Sequence, residues 1–225
     1  MGWVKSLLIA FVLWFFIQAF LVKSFRIISD SMEPTFLVSD LLFINKAVYG
    51  ATVPFTRIRT PAFRDPEVGE LIVLRGIEEP ILTIVKRVIG TAGDTLELRS
   101  DSLFRNGRYV PEPNAQHVNP LAQMDQNQRL RTRNWQLPHL VDGVDKSSYL
   151  PDLRNWGPMV VPDGHLFTMG DNRDESYDGR HWGFLPRENV VGKVLIIYWS
   201  YDANHWRPLR FLTAPRFNRL LRRPR

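Results

Sequence analysis

Seventeen consecutive residues, Ser6 to Val22, carry no charge, and lysines close the run at both ends, Lys5 and Lys23. A helix needs roughly 17 to 25 such residues to cross a bilayer. Trp3 and Val4 extend the run towards an interface, where Trp is at home. Its polar members, Ser6 and Gln18, are neutral. The competing reading is a cleaved targeting segment, whose apolar core is about 7 to 15 residues and ends in small residues. Phe20-Leu-Val-Lys-Ser-Phe25 offers no such cut site. We therefore expect residues 1–24 to be an uncleaved membrane anchor, with whatever follows folding at a bilayer surface. Lys5 on one side and Lys23 with Arg26 on the other leave the orientation open.

Beyond the anchor, the absence of Cys excludes a disulfide framework, a thiolate zinc site and a Cys nucleophile. Hydrophobic residues make up 44 % of the 225, enough to bury a sizeable core rather than remain disordered. The net charge of +6 is local. Residues 200–225 hold seven Arg and one acid, Asp202, while the other 22 bases and 22 acids cancel. Basic tails suit anionic lipid or nucleic acid. Phe211, Leu212, Phe217, Leu220 and Leu221 interleave with the arginines and favour lipid. The alternative is a solvated, frayed terminus. Nucleic acid is not an expected partner.

The body reads as mostly β. Asp40–Tyr49, Glu70–Arg75, Ile81–Ile89, Thr95–Leu98, His165–Met169 and Lys193–Tyr201 are rich in Val, Ile and aromatics, with Gly or Pro clusters between them. Leu103–Tyr109 is a hairpin turning at Asn106-Gly107. Residues 111–160 lack periodicity and are expected to be an irregular inserted lobe. The expected organisation is therefore an anchor (1–24), a β-rich core (25–110 and 161–200), the lobe, and a basic tail (201–225).

Ser31 lies only nine residues beyond the apolar run. A serine hydroxyl attacks only when a base takes its proton. Histidine is the usual base, and His165 and His181 lie near acidic residues, so a triad stays open. No Gly-x-Ser-x-Gly elbow is present. The other available base is a neutral lysine. Lys86 stands in an otherwise largely apolar strand, Ile81–Ile89. A free lysine has a pKa of about 10.4, which leaves only about one in a few thousand neutral at pH 7. Burial can lower that value by roughly 3 to 5 units. Arg87, next in sequence, points to the opposite face of a strand. Taken alone, the rarity of buried lysines favours an exposed Lys86 whose stem lies over the core. The segment Met169–Arg180 crowds four carboxylates and two arginines around Ser176. Its spacing does not fit a calcium loop. Arg173 and Arg180 are expected to neutralise Asp171, Asp174 or Asp178 in a charged turn that braces a site.

Three segments occur in order behind the anchor: Ser29-x-Ser31-Met32-x-Pro34-Thr35, then Lys86-Arg-Val-Ile-Gly90, then Gly170-Asp-Asn-Arg-Asp-x-Ser176-x-Asp178-x-Arg180. Together they resemble bacterial type I signal peptidases (leader peptidases), from the anchor to about Ser200. The lobe and the basic tail lie outside the resemblance. It implies a Ser–Lys dyad, with Ser31 as nucleophile and Lys86 as general base. Ser29 matches the hydroxyl that assists the oxyanion, and Ser176 the serine that orients the lysine. Asp178 and Arg180 match a supporting pair, and Asp171 and Arg173 the opening of that motif. Ser39-Asp40 stands where Gly-Asp is common in the family.

The resemblance further implies an endopeptidase that removes signal peptides from exported preproteins after Ala-x-Ala, without metal or organic cofactor. It would be a single-pass protein of the inner membrane, its body on the periplasmic or outer side and close to the export translocon. Ile27, Ile28, Met32, Ile84 and Val85 flank Ser31 and Lys86 and are the expected substrate-pocket residues. Two alternatives stay open: a peptidase specialised for a pilin or conjugation protein, and a membrane-tethered peptide-binding scaffold with a dead site. Phe36, Trp182 and Phe184 are read as core packing rather than as lipid contacts.

Overall fold

In the computed structural model, residues 2–54, 56, 58–79 and 81–224 are described. Helix α1 (Gly2–Phe16) runs into a π-helical turn, Ile17–Leu21. The resulting rod of 20 residues, mean hydropathy 2.1, is long and apolar enough to cross a membrane, and little of it is covered by the rest of the protein. At 1.5 Å per residue it reaches about 30 Å, the thickness of a bilayer's hydrocarbon core. The helix ends before the expected residue 24, because Val22 already pairs with Asn45 as the first residue of β1 (Val22–Arg26). Lys46 helps to close the end: its ammonium donates to the Gln18 and Ala19 carbonyls, which a helix terminus leaves without N–H partners.

Two antiparallel sheets form the body. The remaining strands are β2 (Asp40–Asn45), β3 (Leu71–Arg75), β4 (Thr83–Thr91), β5 (Thr95–Arg99), β6 (Ser102–Arg105), β7 (Arg108–Tyr109), β8 (Trp156–Val160), β9 (His165–Met169), β10 (Leu185–Pro186) and β11 (Val190–Ser200). The larger sheet has the order β1-β2-β11-β3-β4-β9-β10, the smaller β7-β6-β5-β8. The fold is thus β-rich with few helices, as the sequence leads one to expect. The Asn106-Gly107 turn joins β6 to β7 with both residues at positive φ, the geometry of a tight two-residue hairpin. Asp40–Tyr49 is shorter as a strand than expected, since Ala47–Tyr49 coils into a 3-10 turn.

Strand β4 decides the chemistry. Six consecutive residues, Val85 to Gly90, are buried, because β3 and β9 pair along its two edges and apolar clusters cover both its faces. Val85 belongs to a cluster with Leu42, Ile44 and Val73, and Val88 to one with Tyr49, Ile72 and Leu185. Lys86 and Arg87 lie in the middle of that run.

Two regular elements stand inside 111–160, where none was expected. Helix α2 (Gln126–Gln136) is polar and so lacks an apolar stripe, but it opens on a capping box in which Asp125 and Gln128 bond each other's backbone N–H. Strand β8 pairs with β5 in spite of Gly157 and Pro158. The tail is not frayed. Arg219 is buried and pairs with Asp40, itself inaccessible, and Tyr201 bridges to Pro215. Phe36 is buried, and Phe184 packs edge-on against Trp135 and Phe167, as core residues do.

Candidate active site

The Ser31 segment leaves the sheet between β1 and β2. It is closed at its base by Ile27 N–H to the Asp40 carbonyl and Ser39 N–H to the Ile27 carbonyl, each 2.9 Å. Ser39 turns the chain back with φ 73°. That left-handed conformation costs a non-glycine residue about 1–2 kcal/mol, which explains why glycine is common at this point of the motif. At the loop tip Ser31 is half-buried while Ser29 is exposed.

Lys86 projects from β4 to the tip. Its Nζ lies 2.9 Å from Ser31 Oγ and 2.9 Å from Ser176 Oγ. Ser29 Oγ lies 3.3 Å from Ser31 Oγ. The side chain of Lys86 is 2 % exposed, so it is not the surface lysine that base rates favour. Burial pushes its pKa down to about 8, with Asp178 pulling it up and Arg180 down again. His165 Nδ1 instead meets the Asp163 carbonyl, and the His181 ring lies against Tyr177. The side chain bonded to the Ser31 hydroxyl is therefore the Lys86 amine, not a histidine.

The third segment begins where β9 ends. Met169 pairs with Arg87, so Gly170 and Asp171 emerge beside Lys86 and Arg87. Asp178 is fully buried. Burial alone would raise its carboxyl, but the Arg180 guanidinium holds it well below the usual carboxylate range. Arg180 donates to both Asp178 oxygens at 2.9 Å, and Gly170 N–H donates to Asp178 Oδ2 at 2.9 Å. The pairing expected within this turn holds only for Asp178–Arg180. Asp171 is bonded by Arg87 (2.6 and 2.7 Å) and by Thr35 (2.5 Å). Arg173 grips Glu112 of the inserted segment with two bonds, 2.6 and 2.7 Å. Asp174 meets Arg154. Only the fold brings these distant partners in, and Asp178 and Asp171, the two carboxylates that act most on Lys86, thereby each carry an arginine. The cancelled charges leave burial as the dominant influence on the lysine.

Gly170 cannot be larger. A Cβ there would stand 2.2 Å from Ser176 Oγ and 2.4 Å from the Ser31 carbonyl oxygen. Ser176 Oγ is the hydroxyl bonded to Lys86, and Asn172 N–H bonds the same Ser31 carbonyl at 3.2 Å. Gly170→Ala is therefore expected to push the Ser31 loop away from Lys86. Because a misplacement of about 1 Å can cost about 100-fold in rate, peptide cleavage should fall by that order or more while the protein still folds. Near-normal kcat in the variant would mean that the loop tolerates the shift.

A cleft of about 290 Å³ opens over these groups. Ile77, Leu82, Ile84, Tyr177 and Trp182 supply its apolar walls, and Ser29, Ser31 and Lys86 face into it. Tyr177 OH reaches across to Glu78, 3.0 Å from each carboxylate oxygen. Of the five expected pocket residues only Ile84 is in this lining. Ile27, Met32 and Val85 pack into the core, and Ile28 is 69 % exposed beside Ser29. Proximity in sequence to Ser31 placed them near the site but not on the correct face. Tyr177 fell at an unspecified position of the third segment and was given no role. Ile77 carried no signal beyond lying between two strands, and Leu82, read as part of the Ile81–Ile89 strand, lies just before the observed β4.

At the mouth of an apolar cleft on a β body, a serine hydroxyl is thus bonded to a buried amine rather than to a histidine, an arrangement suited to a serine hydrolase. The family model of signal peptidase, peptidase S26, matches residues 1–199. The chain is 32 % identical over 216 residues to signal peptidase I of Pseudomonas aeruginosa, covering 91 % of this chain and 72 % of that one. It is also 32 % identical over 201 residues to signal peptidase I P of Bacillus subtilis subsp. natto, covering 89 % of each. A solved signal peptidase I from Enterococcus faecalis is 26 % identical, covering 58 % of this chain and 97 % of its own, at a TM-score of 0.38. This chain belongs to the signal peptidase family S26 and is a serine protease that processes signal peptides.

Proposed function

We propose that the protein cuts signal peptides from exported preproteins after Ala-x-Ala, with Ser31 as nucleophile and Lys86 as general base. The observation that carries this reading is the 2.9 Å contact between Ser31 Oγ and an amine that is 2 % exposed. In the first half-reaction Ser31 Oγ attacks the scissile carbonyl and its proton passes to neutral Lys86 Nζ. The oxyanion forms near the Ser31 N–H and the Ser29 hydroxyl, donors that stabilise it more than the ground-state carbonyl. Collapse expels the new amino terminus of the mature chain, which takes the proton from Lys86. Water then attacks the acyl-Ser31 and gives a proton to Lys86, which passes it to the Ser31 oxygen as that bond breaks, releasing the signal peptide with a free carboxyl end. Ser176 holds the lysine rotamer without adding charge. The Asp178–Arg180 pair, with Asp171 and Arg173, holds the loop that carries Ser176.

The peptide is proposed to lie as an added strand along β4. Strand β9 pairs with β4 only from Arg87 onward, so among the described residues no strand pairs with that edge of Thr83–Val85 beside the Ser31 loop. Ile84 and Leu82 then leave room for small side chains. Residues 25–110 with 161–200 act as the catalytic core, and the 111–160 lobe braces it through Glu112. Helix α1 anchors the chain once in the inner membrane, with the body on the outer side near the translocon.

The test is cleavage of a fluorogenic Ala-x-Ala peptide by the full-length protein in detergent. Cutting is expected after the second Ala and should be lost when Phe replaces it. With a lysine pKa of about 8, the neutral base gains tenfold per pH unit below that value. kcat/KM should therefore rise through pH 7 and level off near pH 9. A profile flat from pH 6 to 9 would count against Lys86 as the base.

A further inference from the structure

We propose that Tyr177 and Glu78 select the first alanine of the cleaved Ala-x-Ala sequence, by closing a bridge over the part of the cleft that receives it. The proposal rests on the reading of this chain as a peptidase that cuts after Ala-x-Ala. Tyr177 OH donates to Glu78 and lies 3.0 Å from each carboxylate oxygen. The two residues come from opposite edges of β4. Glu78 belongs to the connection between β3 and β4, and Tyr177 to the segment after β9, which pairs with the other edge. Both line the catalytic cleft together with Leu82 and Ile84, so the bond joins its two walls. Each end is braced within its own element. The β3–β4 connection is pinned by Gly76 N–H to the Leu82 carbonyl and by Leu82 N–H to the Glu79 carbonyl, each 2.9 Å. The Tyr177 ring lies 4.7 Å from the His181 ring and meets Trp182 edge-on at 5.6 Å, a geometry that aromatic pairs favour. Tyr177 is still 49 % exposed, and Glu78 is exposed. The bond therefore stands at the rim, where an entering peptide meets it.

Spacing assigns the subsite. Ile84 and Lys86 both face the cleft. They are two strand residues apart, which is about 7 Å along one face. The two alanines of Ala-x-Ala are also two residues apart, and a peptide added along the Thr83–Val85 edge keeps the same alternation. With the second alanine at the cut, beside Ser31 and Lys86, the first faces Ile84 and the bridge. A methyl group fits between them. A longer side chain meets the Tyr177 ring and enters only by breaking its bond to Glu78. The dyad thus sets where the chain is cut, and the bridge sets which residue precedes the cut by two.

The test gives full-length protein in detergent two fluorogenic peptides, one with Ala-x-Ala and one with Leu in place of the first Ala. The readout is the ratio of their kcat/KM values. Wild type is expected to prefer Ala by about tenfold or more. Tyr177→Phe keeps the ring and loses the bond, so the preference should fall about threefold to tenfold, the worth of one hydrogen bond, chiefly through a lower KM for the Leu peptide. Glu78→Ala should give the same fall, and the double variant no further one, because each change removes the same bond. Glu78→Gln keeps an acceptor and should keep the preference. Tyr177→Ala removes the wall as well and should admit Leu more freely than Tyr177→Phe. An unchanged ratio in Tyr177→Phe and Glu78→Ala overturns the bridge as the selector, and so does a preference relaxed at the second Ala instead of the first. Equal losses on both peptides overturn it too, since they would leave Tyr177 only the task of holding Ser176. A wild type that cuts both peptides equally well has no selection for the bridge to make, which also overturns it. Failure of the wild type to cut after the second Ala overturns the Ala-x-Ala reading itself, and the bridge's role with it.

Discussion

Lys86→Met is expected to abolish cleavage and to stabilise the fold. Loss of a base that acts as a unit with its nucleophile costs on the order of 10⁴ to 10⁶ in kcat. Ser31→Ala should cost the same order, and the double variant should be no worse than either alone. The stability gain comes from removing a cation that water no longer solvates. The folded pKa of Lys86 is about 8, below the 10.5 of the free side chain, so the folded state holds its proton less tightly than the unfolded chain. The penalty is complete below pH 8, at about 3 kcal/mol. Between about pH 8 and 10.5 the unfolded chain binds more protons, so wild-type stability rises with pH and the penalty fades. The hydroxyls of Ser31 and Ser176 lose a partner in the variant, which offsets about 1 kcal/mol each at most. Met should therefore gain about 1 to 3 kcal/mol at pH 7 and almost nothing from relief of the charge at pH 10.5. Denaturant unfolding in detergent at the two pH values reads the difference. A Met variant no more stable at pH 7 than wild type, relative to pH 10.5, would show that Lys86 carries no such penalty.

Asp178→Ala is expected to be the most damaging change outside the reacting atoms. It strands Arg180, 1 % exposed, without its carboxylate. Removing one partner of a buried pair costs about 3–5 kcal/mol. It also removes the acceptor of the Gly170 and Arg180 backbone N–H groups. Asp178→Asn keeps the shape and separates charge from structure. Since Asp178 raises the Lys86 pKa and Arg180 lowers it, the residual activity of the Asn variant should follow a profile shifted to lower pH. Disrupting Arg187–Asp65, whose carboxylate is 82 % exposed, should cost under about 1 kcal/mol. Equal losses at the two pairs would deny the buried pair its proposed weight.

The elements legible in the sequence were those whose signal is local. The apolar run, the strands rich in Val, Ile and aromatics, and the Asn106-Gly107 turn each depend on neighbouring residues. Helix α2 was missed because its polar surface has no apolar stripe, although Asp125-Gln-Asn-Gln128 carried a usable cap signature. Strand β8 was hidden by Gly157 and Pro158. The ion-pair partners were beyond reach, since Arg87–Asp171 and Arg173–Glu112 join positions 84 and 61 residues apart.

By itself the sequence determined which groups were on hand. It supplied a hydroxyl just past an apolar helix, an amine in an apolar strand, and alternation that sends Lys86 and Arg87 to opposite faces. It did not determine that burial would lower the amine's pKa to about 8. That outcome was decided by tertiary structure, because a pKa sums the solvent removed and the charges set around one atom. Around Lys86 Nζ, strands, Ser176 and the Asp178–Arg180 pair from distant parts of the chain do both.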